Sequence, residues 1–255
     1  MELSAQNIQV MLGAKHIVRG VSFKSSERQL VGIIGPNGSG KSTLLKTVYR
    51  TLKPQAGMVY LNGTEISALS LRETAQKMGV MSQINEFNFD FTVEKMVRMG
   101  RTPYKHLMEA DSQEDMRVVE AAMEQTGLIP FRDRKYSTLS GGEKQRVLIA
   151  RTLAQQTPCI ILDEPTNHLD IKYQLQLMDL VRSLNRTVIA AIHDLNIAAM
   201  YCDYLYALKD GLVVGEGKPV DLLTEKFIRY VYEVDAKVVF DPCGHQYIHY
   251  VSSFD

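Results

Sequence analysis

The chain has 255 residues, room for one large core or a core with a subsidiary lobe, and its 29 Lys+Arg are matched by 29 Asp+Glu. That balance excludes an overall field drawing the chain to nucleic acid or to acidic lipid, so any affinity for phosphate must be local. The three cysteines, Cys159, Cys202 and Cys243, form no C-x-x-C pair and no even framework, which argues against a disulfide scaffold and suits a reduced, intracellular setting.

Met1 to Asn7 has neither a basic n-region nor a continuous apolar stretch, so no signal peptide is expected. No window reaches the roughly 18 continuous apolar residues of a spanning helix, and the expectation is a soluble protein that can still dock on a membrane partner. Short β patterns, Ile8-Gln9-Val10 and Val21-Ser22-Phe23, separated by Gly13 and Gly20, predict a small antiparallel layer. Leu30-Val31-Gly32-Ile33-Ile34 follows as a buried strand. It runs into Gly35-Pro36-Asn37-Gly38-Ser39-Gly40-Lys41-Ser42-Thr43, and Leu44 to Val48 continues as a helix. Strand, glycine loop and helix in that order predict a concave nest of backbone N–H groups at a helix N-terminus, which a phosphate chain fits. Lys41 is placed to reach the β- and γ-phosphates as a point charge, and the Ser42 hydroxyl to give one oxygen to Mg²⁺.

Lys53 to Gly57 reads as a turn, and Met58 to Leu61 with Asn62-Gly63 as a hairpin. Val80-Met81-Ser82 is a further strand, ending at Gln83. From about residue 84 to 138 the pattern becomes helical: Thr92 caps a helix through Glu94 to Arg98, and Ser112 precedes Met116, Val119 and Met123 at helical spacing. Leu139-Ser140-Gly141-Gly142-Glu143 then opens another helix. Cys159 to Leu162 runs unbroken into Asp163-Glu164, Val188 to Ile192 into His193-Asp194, and Tyr204 to Leu208 toward a turn at Asp210-Gly211.

The predicted fold is α/β: a parallel sheet core preceded by an antiparallel β layer and interrupted by a helical subdomain. Ligands bind at the carboxyl ends of such strands, and Gly35, Gln83, Asp163 and His193 all fall there. The expected division is one unit over 1–255, with a nucleotide-binding core of 1–83 and 139–223, a helical subdomain of 84–138 and an extension of 224–255. The extension is aromatic, and composition gives it no role.

Asp163 is placed to hold Mg²⁺, leaving Glu164 to polarise the attacking water. His193 can contact a γ-phosphate, and Gln83 can sense that phosphate and the metal. Each has a plainer alternative: a helix cap, a satisfied polar histidine, a solvated glutamine. Ser140-Gly141-Gly142 is either a second anion site or an ordinary helix start, since Ser140 and Glu143 also fit the S-x-x-E capping box.

Taken together, Gly35 to Thr43, Gln83, Leu139-Ser140-Gly141-Gly142-Glu143-Lys144-Gln145-Arg146, Ile161-Leu162-Asp163-Glu164-Pro165-Thr166 and His193 resemble an ATP-binding cassette (ABC) ATPase in order and interval. The resemblance implies a P-loop NTPase (RecA-like) core and the cofactors ATP and Mg²⁺, with Mg²⁺ held by Ser42, Gln83 and Asp163. Catalysis would fall to Glu164, His193 and Gln83. It also implies a head-to-tail pair of ATPase subunits, expected as a homodimer, in which Ser140, Gly141, Gly142 and Glu143 of one reach the ATP held by Lys41 of the other, with Asp170 at the boundary.

Phe91 to Tyr104 is similar to the corresponding segment of ATPases from importers of ferric siderophores, haem and cobalamin. That finer resemblance implies integral-membrane permease partners, a substrate-binding protein acting indirectly, no nucleic acid, and a peripheral place on the cytoplasmic face of the inner or plasma membrane. Phe87, Phe89, Met96 and Met99 are either a groove for a permease helix or core of the helical lobe. The sequence departs from the family pattern in lacking an aromatic adenine platform: Met11 and Leu12 stand there, with His16 nearby. The second reading is a soluble ABC-type ATPase acting as a regulator or scaffold without transport. A P-loop kinase or GTPase has no use for Ser140-Gly141-Gly142, and the guanine-reading N-K-x-D is absent.

Overall fold

The computed structural model describes residues 1–82, 91–106, 109–167 and 169–251. Its elements begin with β1 (Leu3–Leu12), β2 (Lys15–Ser25), β3 (Leu30–Ile34), α1 (Lys41–Val48), β4 (Ala56–Leu61) and β5 (Thr64–Glu65). They continue with α2 (Leu71–Lys77), β6 (Met78–Met81), α3 (Val93–Arg98), α4 (Gln113–Gln125), α5 (Gly141–Ala154), β7 (Cys159–Asp163) and α6 (Ile171–Ser183). The chain closes with β8 (Thr187–Ala191), α7 (Leu195–Tyr201), β9 (Tyr204–Lys209), β10 (Leu212–Gly217), α8 (Pro219–Leu222), α9 (Glu225–Tyr232), β11 (Ala236–Phe240) and β12 (Gln246–Tyr250). Two compact units result, Met1–Ala68 with Asn185–Asp255, and Leu69–Leu184.

The first unit holds an antiparallel sheet in the order β2-β1-β4-β5, the predicted N-terminal layer. Its strands are longer than the sequence pattern suggests. Register shifts between Ala5 and Ile8 and between Val10 and Met11 break the alternation, so only fragments of β1 read as strand. In the same unit β3 pairs in parallel with β8 and β9, and β10 returns antiparallel to β9. Every residue of β3 and β8 is buried, as a strand covered on both faces requires. Helix α1 packs on β1, β2 and β8 through Leu44, Leu45 and Val48. The aromatic tail becomes α9 and the β11–β12 hairpin.

The second unit joins β6 and β7 in parallel and packs α3, α4 and α5 together over Met96, Val97, Val119, Met123 and Val147. Met96 is therefore core and Met99 is half-buried, while Phe87 and Phe89 lie outside the described residues. Thr92 and Ser112 cap α3 and α4, as their positions predict. Helix α2 was not read from the sequence, although Ser70 and Glu73 form a complete capping box at its start. Inside this unit Arg101 and Asp115, each 7 % exposed, bond at 2.8 Å. The same guanidinium donates to the Ala154 carbonyl at 2.9 Å. Among the described residues no helix is long and apolar enough to cross a membrane.

Candidate functional site

In the first unit the loop between β3 and α1 is bent by glycines that no other residue replaces. Gly35 has φ +146, and a Cβ there would sit 2.0 Å from the Leu208 carbonyl oxygen; Gly40 has φ +102, and its Cβ would meet the Ile17 oxygen at 2.8 Å. Gly40 is the N-cap of α1, which has no side-chain cap and no acidic residue in its first turn. The helix start thus presents N–H groups and the positive end of its dipole with nothing of its own to neutralise them. Lys41 is 4 % exposed and donates from Nζ to the carbonyls of Gly35 at 2.8 Å and Pro36 at 3.0 Å. The Ser39 hydroxyl is buried and has no hydrogen-bond partner among the described residues. Buried cation, uncapped helix and a spare hydroxyl make a cradle for a phosphate chain. Ser42 and Thr43 lie half-buried in the first turn, and Asn37 and Gly38 are exposed at the loop tip.

His193 leaves the sheet beside this loop. Ile33 of β3 is registered with Ala191 of β8, so Gly35 and His193 emerge from neighbouring parallel strands. Asp194 caps α7, its Oδ1 accepting from Asn196 N at 2.7 Å, which fixes where the preceding histidine leaves the strand. Tyr232 of α9 was missed by sequence reasoning. Its hydroxyl is buried against the phosphate loop, where burial pushes the phenol up and the Gly35 peptide group opposes the shift.

In the second unit β7 ends at Asp163, 2 % exposed, followed by the half-buried Glu164. Glu164 has φ +54, a left-handed conformation that costs a non-glycine residue about 1–3 kcal/mol and tends to mark working sites. Asn167 Nδ2 donates to Glu164 Oε2 at 2.5 Å and fixes the carboxylate. Met81 is registered with Leu162, so the chain leaving β6 toward Gln83 starts beside Asp163; Gln83 itself lies outside the described residues. Ser140 caps α5 with the full box: its Oγ accepts from Glu143 N at 3.3 Å and Glu143 Oε2 accepts from Ser140 N at 2.7 Å. The backbone N–H of Ser140 lowers the Glu143 acid below its ordinary range. Ser140 and Gly141 are exposed, and the Ser140 hydroxyl proton is still available to donate. Asp170 caps α6, accepting from Tyr173 N at 3.1 Å.

Residues 18–167, more than half of the chain, match the ABC transporter family. The chain is a member of that family. This ABC cassette is 38% identical over 244 residues, 94% of its length and 91% of the relative's, to the iron(3+)-hydroxamate import ATP-binding protein FhuC of Bacillus subtilis. It is 40% identical over 246 residues to the cobalamin import ATP-binding protein BtuD of Halobacterium salinarum, covering 95% of this chain but 61% of that longer one. Its fold superposes with a TM-score of 0.83 on an inward-facing putative metal-chelate type ABC transporter, at 24% identity over 98% of this chain and 96% of that one. A dimeric bacterial ABC transporter cassette matches at a TM-score of 0.74 and 30% identity, covering 85% of this chain and 98% of that one. The ABC cassette fold, α/β with an antiparallel N-terminal sheet, is therefore the one the sequence pattern predicts.

Proposed function

We propose that this ABC cassette is the ATP-hydrolysing subunit of an importer that energises uptake of an iron-siderophore, haem or cobalamin-type compound through partner permeases. The observation that carries the reading is 38% and 40% identity, over 94% and 95% of the chain, to iron(3+)-hydroxamate and cobalamin import ATP-binding proteins. In this proposal Gly35 to Thr43 bind the ATP phosphates, Lys41 neutralises the β- and γ-oxygens, and either the apolar Met11 and Leu12 at the end of β1 or the nearby His16 covers the base. Ser42, Asp163 and Gln83 are the oxygen donors proposed for Mg²⁺, a hard cation whose charge would offset that of the phosphates. The buried Asp163 carboxylate suits that donor set. Glu164 orients the attacking water and His193 faces the γ-phosphate.

The proposal also includes a second copy of the chain, whose Ser140, Gly141, Gly142 and Glu143 complete the site, with Asp170 at the boundary. It retains the functional division into a nucleotide-binding core of 1–83 and 139–223, a helical subdomain of 84–138 and an extension of 224–255. The subunit would sit on the cytoplasmic face of the membrane, held by its permeases. ATP can drive such a cycle only by binding the closed pair more tightly than the open one.

The test is to isolate the complex from membranes and assay its ATPase with a binding protein loaded with a ferric siderophore, haem or cobalamin. Stimulation by one of these supports the importer. Recovery solely in a cytosolic complex without a multi-spanning subunit would instead favour a regulator or scaffold.

A further inference from the structure

The C-terminal hairpin carries chemistry that the nucleotide site does not use. β11 and β12 are registered Phe240 with Gln246, and Asp241-Pro242-Cys243-Gly244-His245 closes them. Asp241 organises this turn: its Oδ1 accepts from the N–H groups of Cys243 and His245, both at 2.8 Å. Its carbonyl accepts from Gly244 N at 2.9 Å, and its own N–H donates to the His245 carbonyl at 3.0 Å. Gly244 has φ +84, and a Cβ there would meet nothing within 4 Å, so the glycine serves the backbone turn and not a tight contact. The base of the hairpin is fixed as well. Asn196 exchanges hydrogen bonds with Ile248 at 2.8 and 3.1 Å, Gln246 Nε2 donates to the Leu223 carbonyl at 3.0 Å, and Ile248 is buried.

This turn brings one ligand atom each from Asp241, Cys243 and His245 within 4.8 Å of one another. Asp241 Oδ2 faces His245 Nδ1 at 2.8 Å, and the Cys243 thiol is free and exposed. We propose that these three side chains bind one divalent cation of the Zn²⁺ class, with a fourth position left to water or to a donor from a partner. Carboxylate, thiolate and imidazole form a borderline-soft set that suits Zn²⁺ and its neighbours, whereas Ca²⁺ and Mg²⁺ take oxygen alone.

Bonds of about 2.0–2.3 Å in a tetrahedral site place the donors about 3.3–3.8 Å apart. A small inward rotation of the exposed thiol and a slight parting of Oδ2 from Nδ1 reach that spacing. Asp241 Oδ1 keeps its two backbone bonds throughout, so the turn does not have to refold to bind. All three donors lie within five consecutive residues of one fixed hairpin, and the site needs no other part of the chain.

The experiment uses the full chain, stripped with a chelator and free of nucleotide, titrated with Co²⁺ as a spectroscopic substitute and then with Zn²⁺. One Co²⁺ per chain is expected, with a thiolate-to-cobalt charge-transfer band that equimolar Zn²⁺ removes. Cys159 and Cys202 are buried, so the band reports Cys243. Cys243→Ser should abolish it, and His245→Ala should weaken binding at least tenfold, with ATP affinity unchanged in both. Independently, Zn²⁺ should slow alkylation of Cys243 more than tenfold in the parent but not in Asp241→Asn, whose amide oxygen can still hold the turn. A parent without the band, a band that survives Cys243→Ser, or an alkylation rate indifferent to Zn²⁺ would overturn the proposal.

Discussion

Lys41 donates to the carbonyl oxygen of Gly35 at 2.8 Å, across the loop whose far end it occupies. A buried ammonium needs such partners, and here it shares its place with the positive end of α1. Both favour an anion at the same spot. Lys41→Ala is expected to weaken ATP binding about 10- to 100-fold, the equivalent of about 1.5–3 kcal/mol for hydrogen bonds to a charged group. Titration with a fluorescent ATP analogue measures it, and circular dichroism checks that the loop change has not unfolded the chain. Parent-like affinity in a folded variant would remove Lys41 from the site.

Glu164 sits in the left-handed region directly after the buried Asp163, its Oε2 accepting from Asn167 Nδ2 at 2.5 Å. If Glu164 polarises the attacking water, Glu164→Gln should keep ATP binding and ATP-dependent pairing while turnover falls by about 10²–10⁴. Size-exclusion chromatography with and without ATP reads the pairing, and phosphate release reads the turnover. Hydrolysis at the parental rate would strip Glu164 of that role.

How much of this could be read in the sequence depends on the range of the forces involved. β3, β7 and β8 were legible as continuous apolar runs, and Thr92, Ser112 and Ser140 as caps, because both signals are local. The family motifs were legible because phosphate chemistry fixes residue type and spacing together. The positive φ of Glu164 has no signature in residue type. The bond from Arg101 to Asp115 joins two positions that look like ordinary surface charges, and Tyr232 meets Gly35 from nearly 200 residues away. The turn of Asp241, Cys243 and His245 is hidden differently: it carries no paired-cysteine signature, and only the hairpin brings the three side chains together.

The buried pair Arg101 and Asp115 sets an acid limit on the second unit. Burial alone would raise the Asp115 carboxyl, but the Arg101 guanidinium, Ser112 and Lys105 outweigh it and hold the acid well below its ordinary value. A depressed folded-state pKa contributes stability above the unfolded value of about 3.9, which is lost as pH falls through the folded value. Melting temperature should therefore drop steeply below about pH 4. Arg101→Met should cost about 3 kcal/mol at neutral pH by removing the guanidinium from the buried carboxylate, which keeps only Ser112 and Lys105, and should flatten the acid limb of the curve. An acid limb equally steep in the variant would assign the loss to other carboxylates.

Tyr232 offers a separation of packing from polarity at the phosphate loop. The residue is half-buried, and its hydroxyl, buried beside the Gly35 peptide, makes no hydrogen bond of ordinary geometry among the described residues. Removing a buried hydroxyl that lacks a good partner costs little, so Tyr232→Phe should be neutral or slightly stabilising, within about 1 kcal/mol. Tyr232→Ala removes the ring and should destabilise by about 3 kcal/mol, with ATP affinity falling as the loop loses its support. Urea denaturation and nucleotide titration of both variants provide the comparison. If Tyr232→Phe lost as much as Tyr232→Ala, the hydroxyl would be holding the Gly35 peptide directly, and α9 would be a polar rather than a steric brace of the loop.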